Sequence, residues 1–194
     1  MTDTIPKPRV MLRCASRGIS KAARVLRKGG IVAYATEAVY GLGCDPRNRD
    51  AVIRLLRLKQ RSVRKGLILI AAAPGQLDPY VAELPARARK TWPGPHTWLV
   101  KPSANAPRWI TGHHDRIAVR VTAHPQAAAL CRLADMAIVS TSANTSGHRP
   151  ARSYREAVRR FGGKVDYVLR GRVGDRRRPT PIADAVSGKV VRCA

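Results

Sequence analysis

Apolar residues follow two different patterns along this chain, helical spacing and short uninterrupted runs. Helical spacing predicts helices at 19–28, 125–134 and 153–161. It predicts a further helix that is capped by Asn48 or Asp50 and ends at about residues 59–61. Short apolar runs predict strands at 31–34, 67–73, 97–100, 117–121, 137–140, 167–169 and 190–192. Because helices and strands alternate without a linker or a repeat, we expect one α/β domain whose sheet mixes parallel and antiparallel strands.

The charge of the chain is strongly unbalanced. The 194 residues include 37 lysines and arginines against 12 aspartates and glutamates, a formal net charge of +25. A surplus of this size attracts polyanions without identifying which one. The densest cluster is interpreted as an exposed loop that is either simply solvated or follows a phosphate backbone; it consists of Arg170, Arg172, Arg176, Arg177 and Arg178.

Cysteine usage and hydropathy disfavour several classes of protein. No apolar stretch approaches the roughly 18 residues that a membrane span needs, and residues 1–9 do not resemble a signal peptide. The cysteines are scattered singly, without C-x-x-C pairs, at Cys14, Cys44, Cys131 and Cys193. We therefore expect a soluble cytoplasmic protein without a disulfide framework, a metal site or a membrane partner.

The first segment with candidate chemistry is ATEAVYGLGCD, residues 35–45, directly after a predicted strand. Loops in this position often hold ligands in α/β sheets. Its glycines allow close backbone approach, and Thr36, Glu37 and Tyr40 offer polar contacts. The third glycine of a dinucleotide fingerprint is absent, so a simple tight turn remains an alternative.

A second segment, residues 59–66, places four cations between a helix end and a buried strand: Lys59, Arg61, Arg64 and Lys65. Cations at a helix C-terminus are favoured by the helix dipole, so capping alone is one interpretation. The other is an anion clamp, since lysine and arginine two residues apart can converge on one polyphosphate.

The third segment, STSANTSG at residues 140–147, follows an apolar strand. Its hydroxyl, amide and glycine groups can bind phosphate, ribose or carboxylate oxygens. A serine nucleophile is disfavoured because the G-x-S-x-G elbow is missing, while a plain turn remains open.

One arginine, Arg120, lies inside the apolar strand predicted at 117–121. A buried charge needs an anionic partner. The candidates are a substrate carboxylate or a protein carboxylate, for which Asp184 and Asp115 are the choices from the sequence.

Six segments in this order resemble the YrdC/TsaC family of threonylcarbamoyl-AMP synthases, over about residues 16–192. They are ATEAVYGLGCD, LKQRSVRKGLILI, WPGPHT, AVRV, STSANTSG and RPTPIADAVSGKVVR. The resemblance implies a twisted, open mixed sheet flanked by helices, with a large basic cavity. It also implies that L-threonine, bicarbonate and ATP are joined into threonylcarbamoyl-AMP with release of pyrophosphate. The product would modify the adenosine beside the anticodon of tRNA.

The resemblance also implies roles for individual residues. Lys59 and Arg61 would be catalytic and hold ATP phosphates, and threonine would contact Thr36, Tyr40, Arg120 and Thr180. The nucleotide would additionally contact Lys65, Thr97, Ser140, Ser142, Asn144 and Arg192. No metal site is expected; Mg²⁺ would arrive with ATP, and the implied partners are tRNA, bound directly or not, and the proteins that transfer the threonylcarbamoyl group.

Two residues depart from the family pattern. Ala35 stands where many members have proline, and Ile70 stands where longer members have a substrate-contacting histidine. We therefore expect the short, single-domain form, with an N-terminal extension at 1–15 and the catalytic domain at 16–194. Two other functions stay open: a non-catalytic module that binds double-stranded RNA or tRNA, and a carbamoyl-adenylate-forming domain.

Overall fold

A computed structural model describes residues 8–176 and 178–193, with side chains described from Arg17 onward. The helices are α1 Pro8–Arg27, α2 Arg49–Lys59, α3 Ala86–Thr91, α4 Arg108–Thr111, α5 Pro125–Ala134 and α6 Tyr154–Phe161. The strands are β1 Val32–Ala35, β2 Tyr40–Gly43, β3 Ile68–Ala71, β4 Thr97–Val100, β5 Ile117–Val121, β6 Ile138–Ser142, β7 Tyr167–Val168, β8 Ile182–Asp184 and β9 Val190–Arg192.

These strands form one nine-stranded sheet in the order β7-β1-β2-β6-β3-β5-β4-β8-β9. The pairs β1/β7, β3/β5 and β4/β8 are parallel, and the other neighbouring pairs are antiparallel. The prediction of a single α/β domain with a mixed sheet is confirmed. No helix within the described ranges is both long and apolar enough to cross a bilayer.

Side-chain caps explain where several helices begin. Asn48, and not Asp50, caps α2, because its side chain accepts a hydrogen bond from the Ala51 N–H at 3.0 Å. Ser153 caps α6 in the same way through the Glu156 N–H. The end of α2 is set by Gln60, whose left-handed conformation (φ 51°) closes the helix.

The structure also contains elements that the apolar pattern did not predict. The first helix begins at Pro8 and not at residue 19, so the expected boundary between residues 15 and 16 falls inside α1. Residues 40–43 form β2, where the sequence pattern indicates a loop. A four-residue strand with two glycines carries too little apolar signal to be recognised. The elements α3, α4 and β8 are not indicated by the apolar pattern either, because each is too short to show a periodicity.

The two faces of the sheet are covered unequally. One face carries a large core beneath α2, α4 and α6, with Leu55, Ile110 and Phe161 buried against the strands. On the other face, α1 and α5 cover Ile70 and its apolar neighbours in β1 and β6. Arg120 lies beside Ile70 in register, so it projects from this second face, where polar side chains replace apolar ones.

Candidate active site

A cavity of about 240 Å³, open to solvent, lies on the face of the sheet that carries Arg120. Its lining contains three arginines and one carboxylate, Glu37. Seven of the twelve site residues predicted from the sequence line it: Thr36, Arg61, Arg120, Ser140, Ser142, Thr180 and Arg192. The structure therefore gathers residues from five separate segments into one cleft.

Arg120 is buried, with 5% of its surface exposed, and it is held by three side chains. Its Nη1 donates to the hydroxyls of Thr97 at 3.1 Å and Thr180 at 2.8 Å. Its Nη2 donates to the Glu37 carboxylate at 3.3 Å. The protein carboxylate beside Arg120 is therefore Glu37.

The expectation that Asp184 or Asp115 would be this partner is wrong. Both carboxylates lie near Arg116, at 3.4 Å and 3.8 Å. Asp184 also accepts hydrogen bonds from the backbone N–H groups of Val186 and Ser187, which fix it in the turn after β8. Neither aspartate is thus directed at the cavity.

Glu37 is also held from its other side, because the Thr122 hydroxyl donates to its second carboxylate oxygen at 2.6 Å. Burial on its own would raise the pKa of Glu37. The Arg120 guanidinium and the Thr122 hydroxyl outweigh burial and hold the pKa below its usual value. Glu37 is therefore ionised at neutral pH, and Arg120 has a permanent counter-charge.

His124 extends this network away from the cavity. Its Nδ1 accepts from the Ala127 N–H at 3.3 Å and caps α5. Nε2 then carries the proton of the neutral ring and donates to the Arg172 carbonyl at 3.1 Å. Burial lowers the pKa of His124, which favours this neutral form. The histidine thus fastens the 170–176 segment to the Glu37 side of the site.

Arg61 and Arg192 lack a carboxylate partner among the described residues. Arg61 donates to the carbonyls of Lys65 and Gly66, at 3.3 and 3.0 Å, and Arg192 to that of Thr180 at 2.9 Å. Burial lowers the pKa of both guanidinium groups, and repulsion from Arg120 and Arg61 adds to the effect on Arg192. These charges lie close enough to repel one another.

Two buried nitrogens in this cluster have no hydrogen-bond partner within the part of the chain that the structure describes, Nε of Arg61 and Nε of Arg120. An unpaired buried donor on a cation is costly, so such groups are normally satisfied by a ligand or by water. The cavity is therefore suited to an anionic ligand with several oxygen acceptors.

Lys59 is buried (3% exposed) beside the cavity and does not line it. Its ammonium donates to the carbonyls of Ser142 and Asn144 and to the Asn144 side-chain oxygen. Three acceptors use all three donors of an ammonium group. Burial, together with the charge of Arg61, lowers the pKa of Lys59 to about 8. In this arrangement Lys59 fixes the turn at 142–144.

Four other predicted residues lie near the cavity without lining it. The Tyr40 hydroxyl donates to the Gly171 carbonyl at 2.8 Å and accepts from its N–H at 3.0 Å, so it anchors the 169–171 segment. Thr97 supports Arg120, and the Asn144 side chain accepts from the Ser142 hydroxyl at 2.6 Å. Lys65 is exposed.

The two departures from the family pattern have structural consequences. The Ala35 N–H donates to the Gln126 side chain at 3.4 Å, a bond that proline could not make. Thr36 keeps its place in the lining, and its hydroxyl donates to the Val39 carbonyl at 2.8 Å. Ile70 is fully buried beneath α1 and α5, so it belongs to the core.

Sequence reasoning did not assign Glu37, Thr122 or His124 to the site. Glu37 was noted only as one polar group of the 35–45 loop. Thr122 and His124 directly follow the strand at 117–121 that carries Arg120. The end of a strand that bears a buried charge was therefore the available signal.

Comparison with known proteins shows the family of this chain. A family model for Sua5/YciO/YrdC, described as "Telomere recombination", matches residues 24–194. The chain belongs to the Sua5/YciO/YrdC family.

Two curated relatives are named Threonylcarbamoyl-AMP synthase. The protein of Halorhodospira halophila is 57% identical over 178 residues, covering 90% of this chain and 93% of the relative. That of Methylococcus capsulatus is 57% identical over 175 residues, covering 88% of this chain and 94% of the relative. A solved family structure, P. abyssi Sua5 complexed with L-threonine, superposes with a TM-score of 0.80 at 35% identity. That superposition covers 86% of this chain and half of the P. abyssi protein.

Proposed function

We propose that this protein is a threonylcarbamoyl-AMP synthase, a nucleotidyltransferase that joins L-threonine, bicarbonate and ATP. The observation that carries the proposal is the group of three arginines around one cavity, two of them with unpartnered buried N–H groups. The names of relatives at 57% identity support the choice of substrates. The product would serve tRNA modification in the cytoplasm, together with the proteins that transfer the threonylcarbamoyl group to tRNA.

The reaction has two steps. The threonine amine and bicarbonate condense to a carbamate with loss of water. A carbamate oxygen then attacks the α-phosphate of ATP, and pyrophosphate leaves. Neither step needs a covalent bond to the protein, so the protein acts by positioning and by neutralising charge.

The lining supplies cations on two sides for this task. Arg61 and Arg192 would hold the ATP phosphates, since they lack carboxylate partners of their own in the described structure. Arg120 would bind the threonine carboxylate through its unpartnered Nε, while Glu37 and two threonine hydroxyls keep its other nitrogens in place. Charge that develops on the phosphates would thus meet fixed guanidinium groups.

Hydroxyl groups complete the proposed site. All four of the following line the cavity. Ser140 and Ser142 would contact the nucleotide, and Thr36 and Thr180 would contact threonine. Lys59 would act differently from the phosphate contact implied by the resemblance. Since all three N–H donors of its ammonium bond to acceptors in the 142–144 turn, Lys59 would position Ser142. At about 240 Å³ the cavity is smaller than typical ligand sites of roughly 300–1,000 Å³, so ATP would extend towards its open side.

The described residues do not fit a resident metal ion. No group of three or more histidine, cysteine, aspartate or glutamate side chains that could hold one occurs among them. The one carboxylate of the lining, Glu37, already pairs with Arg120. Mg²⁺ would therefore enter with the ATP phosphates, which bind it without a protein cage.

The test of this proposal is incubation of the pure protein with ATP, labelled bicarbonate and each amino acid in turn. We expect pyrophosphate release and a labelled adenylate only with threonine. Carbamoyl phosphate in place of threonine and bicarbonate tests the carbamoyl-adenylate alternative. Binding of tRNA without any amino-acid-dependent pyrophosphate release would instead support the RNA-binding alternative and overturn the proposal.

A further inference from the structure

A second cavity, of about 490 Å³, adjoins the candidate active site. Ser142 lines the first cavity and Asn144 lines the second, so the turn between them forms a shared wall. The end of α2 contributes Leu58, and the end of α6 contributes Arg159 and Phe161. Nothing in the proposed reaction uses this second cavity.

The rim of the second cavity is cationic. Arg149, Arg159 and Lys164 line it, and all three are exposed. Within residues 8–176 and 178–193, none of them has a carboxylate within the 4.0 Å of an ion pair. Arg160 also lines the cavity, but it already has partners. It forms an ion pair with Glu156 at 3.9 Å and donates a hydrogen bond to the Arg149 carbonyl.

Helix capping does not account for this arrangement. Cations in the last turn of a helix are favoured by its dipole, and this could explain Arg159 in α6. Arg149 belongs to the loop after β6, and Lys164 lies three residues beyond the end of α6. Three like charges from separate segments around one concavity are more simply explained by an anionic ligand.

Two apolar residues lie among the charged residues of this lining. Leu58 is half-buried and offers accessible apolar surface, whereas Phe161 is 3% exposed and offers almost none. An apolar surface beside a cationic rim matches a ligand that has one flat apolar part and one phosphate part. The volume lies within the roughly 300–1,000 Å³ of small-molecule sites. We propose that the second cavity binds a nucleoside phosphate, with the base or ribose against Leu58 and the phosphate on Arg149, Arg159 and Lys164.

A nucleoside phosphate could come from a free nucleotide or from one nucleotide of an RNA strand, and one experiment separates the two. The variant R159Q/K164Q removes two exposed charges from the rim. R24Q/R132Q, on the exposed surfaces of α1 and α5, removes the same number of charges far from it. Equilibrium dialysis with ATP gives the number of sites per chain, and fluorescence anisotropy with a labelled six-nucleotide RNA gives the affinity for a strand.

For a free nucleotide we expect two ATP sites in the natural chain and in R24Q/R132Q, and one in R159Q/K164Q. For a nucleotide within RNA we expect RNA affinity at least tenfold lower in R159Q/K164Q than in R24Q/R132Q. Equal ATP stoichiometry and equal RNA affinity in the two variants would overturn the proposal. The variant R61Q distinguishes failure of this proposal from failure of the proposed function. It should weaken ATP binding in the first cavity, which Arg61 lines, and leave binding in the second cavity unchanged.

Discussion

The two walls of the candidate active site handle their positive charge in opposite ways. On one wall, Arg120 is buried and carries its own counter-charge, Glu37, and two threonine hydroxyls. On the other wall, Arg61 donates to backbone carbonyls and has no carboxylate partner among the described residues. The charge of Arg120 is already balanced by the protein, although its Nε still lacks an acceptor, whereas the charge of Arg61 is not balanced.

The ion pair of Arg120 therefore contributes to the stability of the fold, whereas the charge of Arg61 is available to an anionic substrate. A buried ion pair is costly to break, because the remaining charge is left without a partner in a medium of low polarity. Arginines that repel one another cost stability until an anion arrives, and this cost becomes affinity for the anion. Substitutions on the two walls should therefore separate stability from activity.

The largest effect is expected from Arg120→Met, which leaves Glu37 buried without its counter-charge. We expect the free energy of unfolding to fall by about 3–5 kcal/mol, measured by urea denaturation. The double variant Arg120→Met/Glu37→Leu should regain most of this loss, since it leaves no unpaired charge. A loss below about 1 kcal/mol in the single variant would contradict the difference between the walls.

Arg61→Gln should show the opposite balance on the other wall. We expect threonine-dependent pyrophosphate release to fall by about 10²-fold or more, the scale of losing one preorganised charge contact. Stability should change little, since Arg61 has no carboxylate partner to abandon. Arg64→Gln is the matched control, because Arg64 is an exposed arginine of the same segment that does not line the cavity. Equal rates in the two variants would remove Arg61 from the mechanism.

Much of the fold could be predicted from the sequence because its signals are local. Strand β5 and helix α5 have the predicted bounds, since an apolar run and a capped apolar face each lie within a dozen residues. The partner of Arg120 could not be predicted in this way. Glu37 is 83 residues away along the chain, and only the path of the sheet brings the two side chains together.

The candidate site was predicted in part for a related reason. A motif identifies a segment, while the direction of each side chain depends on the strand or helix that carries it. Ser140 and Ser142 lie two residues apart in β6, so their side chains share one face of the strand, and both line the cavity together with Thr141. Lys59 lies at the end of α2 and turns towards the 142–144 backbone, which no local pattern indicates.

Lys59→Met tests the turn at 142–144, which lies between the two cavities. It leaves the Ser142 and Asn144 carbonyls without their donor, and an unsatisfied buried polar group costs about 1–3 kcal/mol. Because the substitution loosens Ser142 and removes no proposed phosphate contact, we expect KM for ATP to rise more than kcat falls. Lys101→Met, at an exposed lysine that lines neither cavity, should change neither KM nor kcat. A large fall in kcat with unchanged KM would indicate that Lys59 contacts the reacting phosphate.

The smallest effect concerns the pH dependence of the Glu37–Arg120 pair. Glu37→Gln keeps a side chain of nearly the same shape, whose one oxygen can accept from Arg120 while its NH2 group donates to the Thr122 hydroxyl. Although Arg120 loses its counter-charge, we expect the cost at neutral pH to stay below that of Arg120→Met. Because the pKa of Glu37 is lowered in the folded chain, the unfolded chain binds the proton more readily as the pH falls. The stability that the ionised group contributes is therefore present at neutral pH and lost as the pH falls through the folded pKa. The difference in unfolding free energy between the natural chain and Glu37→Gln should accordingly begin to shrink as the pH falls past the ordinary glutamate pKa of about 4.3, and close once the pH is below the lower folded pKa. A difference that stays constant from neutral to acid pH would show that the carboxylate charge adds nothing to the wall.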